Sequence, residues 1–97
     1  MMTFCAYIVP MEFEWDEAKR LANVEKHGID FYDAKVALED APVMIADERK
    51  EYGERRCIAA GEVMGHMLIV VFTIRSGVFR IISVRKANSR ERRKYAD

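Results

Sequence analysis

The chain predicts an α+β domain with a four-stranded, mainly antiparallel sheet, two N-terminal helices and one C-terminal helix, in the order α-α-β-β-β-β-α. Three observations carry that prediction. Residues 66–75 (HMLIVVFTIR) are almost uninterruptedly apolar on both parities, as befits a central strand with something packed on each side. Ser76-Gly77 divides this run from residues 78–85 (VFRIISVR), so the two segments fold back on one another through a tight turn. Upstream, residues 16–39 carry helix caps and helical spacing in place of strand alternation. The apolar fraction, 51% of 97 residues, is enough for one core that buries roughly 65% of the unfolded surface.

In chain order, Phe13-Glu14-Trp15 reads as a short extended stretch and Asp16 as the N-cap of the first helix. Ala18, Leu21, Ala22 and Val24 give that helix an apolar side, Lys19, Arg20, Asn23 and Lys26 face away from it, and Gly28 ends it. Asp30 opens the second helix, whose buried side is marked by Phe31, Ala34, Ala37 and Leu38 and which stops at Pro42. Residues 43–46 form the first full strand, 47–54 (DERKEYGE) an exposed, mobile loop, and 55–63 the second strand. Met64-Gly65 turns the chain into the central strand. Asn88, with Glu91 three residues on, gives a capping-box signal for the last helix. Regular alternation in the last strand puts Arg80 with Ile82 and Val84, and Arg85 with Phe79, Ile81 and Ser83. The two arginines then serve one ligand only if a bulge intervenes or one of them lies at the sheet's end.

Zero net charge conceals an asymmetry. Residues 1–54 hold thirteen acidic and six basic side chains, whereas residues 75–97 hold eight basic and two acidic ones. A polyanion is attracted to the second part and repelled by the first, so nucleic acid has to approach from one side; mutual neutralisation across the fold is the plainer reading of the same numbers. Cys5 and Cys57 form neither a CxxC nor a metal-ligand pattern, and a reduced, cytoplasmic compartment is expected. The opening MMTFCAYIVP lacks the basic start, long apolar stretch and cleavage site of a signal peptide. Met11 is a second candidate start, which makes residues 1–10 an N-terminal extension of a single domain spanning 1–97.

Phosphate loops, HExxH, paired-cysteine zinc sites and GxSxG elbows are all missing from the sequence. What it offers is arginines on strands, two histidines, Lys26, several carboxylates and Tyr95. That inventory suits RNA cleavage without a metal. The 2′-hydroxyl attacks its neighbouring phosphate, which calls for a proton acceptor, a donor to the leaving 5′-oxygen and cations around the phosphorane. Arginine fits the last role by its fork geometry and permanent charge, and histidine the first two. Each residue also has an ordinary reading: His27 as a helix-end cap, His66 as a strand-end residue, and Arg90, Arg92, Arg93 and Lys94 as a solvated helix face.

FEWDEAKRLANVEKHGIDFYDA near the start, R-x-I-x-x-G from Arg56 to Gly61, and RIISVRKANSRERRKY near the end resemble the BrnT-family toxins of bacterial type II toxin-antitoxin systems. The resemblance implies a RelE-like fold, metal-independent endoribonuclease activity without a cofactor, and inhibition of translation. It also implies a BrnA-type antitoxin partner that neutralises the toxin and alone contacts operator DNA. Carried over by motif, Arg56, Arg80 and Arg85 are expected to bind the scissile phosphate and stabilise its transition state, with His27 or Glu91 transferring the proton. Lys26, Arg55, Lys86, Arg90 and Tyr95 are the expected RNA contacts. The competing expectation is a non-catalytic module that holds an acidic antitoxin segment or nucleic acid on the same basic surface.

Overall fold

The computed structural model describes residues 12–39, 43–47 and 56–95; residues 1–11, Pro42, Arg55 and residues 48–54 of the expected loop lie outside them, while Asp47, expected to open that loop, ends the strand before it. Eight elements follow one another: β1 (Glu12–Trp15), α1 (Glu17–His27), α2 (Phe31–Glu39), β2 (Val43–Asp47), β3 (Arg56–Val63), β4 (His66–Arg75), β5 (Val78–Lys86) and α3 (Ser89–Tyr95). The predicted helices and four strands are present, but the sheet is mixed and has a fifth strand, in the order β1-β5-β4-β3-β2. That strand is the Phe13-Glu14-Trp15 stretch, which pairs parallel to the first half of β5. Its alternation explains the pairing. Phe13 and Trp15 lie opposite Phe79 and Ile81, Phe13 meets Phe79 at 5.6 Å between ring centroids, and Trp15 packs edge-on against Phe31 and Tyr32 at 6.0 and 4.9 Å. Aromatic burial on one face holds a four-residue strand at the sheet's edge.

β4 sits in the middle, as its double-sided apolar pattern predicts. Leu68, Val70 and Phe72 face the principal core with Ile81, Val84 and Ala59, and α2 covers them with Phe31, Ala34, Ala37 and Leu38. All four predicted residues of α2 are therefore buried. Close approach of α2 to β3 needs Gly61: a Cβ there would lie 2.5 Å from the carbonyl oxygen of Ala37. On the other side of the sheet, Ala60, Ile69 and Ala87 form a smaller cluster against which Ile58, Met67 and Tyr95 of α3 pack.

α1 departs from the expectation in an instructive way. Its caps are as predicted: Asp16 Oδ1 accepts from the backbone N–H groups of Ala18 and Lys19 at 2.9 and 3.2 Å, and Gly28 takes a left-handed conformation. Its inward residue, however, is not among the apolar ones. Leu21 is 56% exposed and Val24 38%, whereas Asn23 is buried. β1 covers only the first half of β5, so α1 lies beside the remaining edge and Asn23 closes it. Its Nδ2 donates to the Val84 and Ile29 carbonyls at 2.8 and 2.9 Å, and its Oδ1 accepts from the Val84 N–H at 3.2 Å. One side chain thereby does what a neighbouring strand would do for Val84.

The last strand is irregular too. Val71 pairs with Ser83 and Phe72 with Ile81, leaving Ile82 as a surplus residue in a β-bulge. Regular alternation fails at this point. Arg80 shares a face with Ser83 and Arg85, while Phe79, Ile81 and Val84 share the core face, because their partners on β4 do.

Candidate active site

The bulge gathers the strand arginines. Thr73 pairs with Arg80, Arg80 pairs with Glu14, and Arg56 follows the Cys57–Phe72 pair in register, so Arg56, Thr73, Arg80 and Glu14 form one row across the sheet. This row lies on the side opposite α2. Thr73 at its centre is 3% exposed and gives the row a buried floor, while the Arg80 and Glu14 side chains stay partly open to water, at 29% and 44% exposed. Arg80 Nη1 donates to Glu14 Oε2 at 3.2 Å. Arg85 pairs with Ile69, four β4 residues from Thr73, so it stands about 13 Å along the same face at strand spacing. Half-buried Val71 and Ser83 lie between the two arginines on this face, with Arg80 bonded to Glu14 and Arg85 to Glu91.

Arg85 is fixed by α3. Its Nη1 and Nη2 donate to Glu91 Oε1 and Oε2 at 2.8 and 2.7 Å, a bidentate pair. Glu91 also serves the predicted capping box. Its Oε1 accepts from the Asn88 N–H at 3.0 Å, and its own N–H donates to Asn88 Oδ1 at 2.8 Å. The carboxylate thus joins the start of α3 to the arginine that the sheet presents. Tyr95, one turn beyond Glu91, rests on the Ala60–Ile69–Ala87 cluster and holds the other end of this short helix down.

His27 belongs to the helix layer, half-buried at the end of α1. It follows Asn23 by four residues, hence one turn along the same side of α1. The rise of about 6 Å brings it level with Arg85 and Lys86 beside the β5 edge. The cleft shared there by Gly28, Ile29, His66 and Lys86 places the helix end at the same height. Lys26 and Arg90 are exposed, Lys86 ends β5 with the register of the core face, and Arg55 lies outside the described residues. Of the expected residues, then, Arg56, Arg80, Arg85, Glu91 and Tyr95 gather on one side of the sheet and His27 stands at its edge. Glu14, Thr73 and Asn23 were not foreseen. The alternation of Glu12-Phe13-Glu14-Trp15 is the one sequence signal that pointed toward Glu14.

Among the described residues, no three His, Cys, Asp or Glu side chains converge as a metal-binding group, and no helix is long and apolar enough to cross a membrane. The chemistry that this face offers is anion binding by forked, permanently charged donors held on rigid strands. No curated protein matches the chain significantly. The family of ribonuclease toxins called BrnT, of type II toxin-antitoxin systems, matches over residues 15–91, from the edge strand to the carboxylate that holds Arg85. A match over most of the chain, ending on the elements that build the arginine face, establishes that this protein belongs to the BrnT family of ribonuclease toxins of type II toxin-antitoxin systems.

Proposed function

We propose that the chain is a metal-independent endoribonuclease with a RelE-like fold, which cleaves RNA in the cytoplasm, inhibits translation and is neutralised by a BrnA-type antitoxin. The observation that carries this reading is the bulge at Ile82, which turns Arg80 and Arg85 toward the same side as Arg56. A scissile phosphate between the Arg56–Arg80 row and Arg85 meets cations from three directions. As the 2′-oxygen attacks, negative charge grows on the equatorial oxygens, and the guanidinium groups carried by the strands stabilise it.

Glu91 acts in this scheme through Arg85. Its two oxygens already accept three hydrogen bonds, so it orients the guanidinium and is a poor place to receive a proton. Proton transfer falls to His27, at the edge of the same strand. Lys26, Lys86 and Arg90 supply charge to flanking phosphates.

The test is cleavage of purified RNA by the antitoxin-free chain in excess EDTA, beside Arg85→Ala. Cleavage should survive EDTA and fall on the order of 100-fold in the variant, the size typical of losing one transition-state donor. Intact RNA, both naked and in a translation extract, would leave a binding module as the better account.

A further inference from the structure

Beyond the arginine face, the structure assigns a second anion site at the far end of the sheet: a cleft lined by His66, Lys86 and Arg92 that takes a backbone phosphate of single-stranded RNA flanking the cleaved bond. The assignment rests on the ribonuclease reading above. The cleft encloses about 220 Å³, and Gly65, Met67 and Ala87 complete its lining. The Ala87 N–H donates to the Met67 carbonyl at 2.9 Å, extending the β4–β5 ladder one step and making the floor rigid. Each nitrogen-bearing wall comes from a different element. His66 opens β4 beside the Met64-Gly65 turn, Lys86 closes β5, and Arg92 stands on α3.

Arg92 is aimed rather than loose. Its Nη1 donates to the Ala87 carbonyl at 3.1 Å and its Nη2 to Ser89 Oγ at 3.3 Å, which fixes the guanidinium at the cleft while most of its five N–H donors stay available. His66 and Lys86 are exposed. The lining contains no acidic side chain, so nothing in it opposes an anion.

Position argues for RNA over an acidic protein segment. From Thr73, in the row of Arg56 and Arg80, to Met67 at the cleft is six strand residues, about 20 Å. Arg85 lies between, and a few nucleotides bridge that span with their phosphates spaced along it. A small cup with forked and single donors also suits a compact tetrahedral group better than a chain of carboxylates on flexible stems.

The probe is single-stranded 2′-O-methyl RNA, which lacks the attacking hydroxyl, in lengths of about 4 and about 16 nucleotides. Wild-type chain should bind the longer RNA at least tenfold more tightly. Lys86→Gln with Arg92→Gln should erase most of that gain and flatten the slope of log K against log salt by about 0.7, the value for one phosphate contact on a single strand. His66→Ala alone should cost a smaller part of the gain. Unchanged affinity and slope in the double variant, with RNA cleavage by the wild type intact, would remove the cleft and leave the ribonuclease reading standing. A wild type that neither binds nor cleaves RNA would overturn both. Loss of polyglutamate binding in the double variant with RNA binding retained would reassign the cleft to an acidic protein partner.

Discussion

Asn23→Ala is the sharpest test of how α1 is attached to the sheet. The substitution removes three hydrogen bonds, to Val84 N–H, Val84 C=O and Ile29 C=O, from a side chain that is 6% exposed. At a net ~1 kcal/mol each, the loss is about 3 kcal/mol, and the Val84 N–H left without a partner inside the protein pushes it higher if water cannot enter. With a urea slope of roughly 1.5 kcal/mol/M for a domain this small, the unfolding midpoint should fall by about 2 M at unchanged slope. Asn23→Asp makes the comparison more exacting. It keeps the acceptor for Val84 N–H but turns a carboxylate oxygen toward two carbonyls, so it should be at least as damaging as alanine. A midpoint shift below about 0.3 M for Asn23→Ala, or an aspartate variant more stable than the alanine one, would refute the idea that this amide seals the strand edge.

Three further outcomes follow from the geometry. Glu91→Gln should lower RNA cleavage through Arg85, so Arg85→Ala combined with Glu91→Gln should be no slower than Arg85→Ala alone; a further drop in the double variant would give Glu91 a role of its own. Gly61→Ala sets a Cβ 2.5 Å from the Ala37 carbonyl oxygen and, because backbone must move, should cost about 1–3 kcal/mol in a denaturation series. The Glu17 carboxyl is held below the ordinary carboxylate range by its hydrogen bond with Arg20, against a smaller opposing effect of desolvation. Its contribution is therefore present above the unfolded-state value and is lost as pH falls through the lower folded value. Glu17→Gln should accordingly flatten the acid side of the stability profile and leave the shape above pH 7 unchanged.

The elements were legible in the sequence wherever local chemistry decides. Asp16, Gly28 and the Asn88–Glu91 pair announce helix ends because capping is a short-range hydrogen-bonding problem. The face of α2 was readable because Ala34, Ala37 and Leu38 have only one core to meet. The inward side of α1 was not, since it depends on an unpaired strand edge sixty-one residues away, which an amide fits and an aliphatic side chain does not. The sequence marks β1 only as an extended stretch, because parallel pairing leaves no turn that would point to its partner. Identity of the site arginines came from motif, but their convergence turns on Ile82, whose surplus status depends on the pairing with Val71 and Phe72 and cannot be seen in VFRIISVR itself.

The bulge also sets a rule for length. Deleting Ile82 would bring Arg80 and Arg85 to a separation of four, an even number, so a regular strand would hold both on one face and the bulge would no longer be needed. One residue inserted in that segment would make the separation six, which a regular strand also places on one face. Among relatives that keep both arginines as a working pair, an odd separation should therefore come with a bulge and an even one with a regular strand, so an alignment gap of one would mark a chain that has lost the bulge and kept the pair.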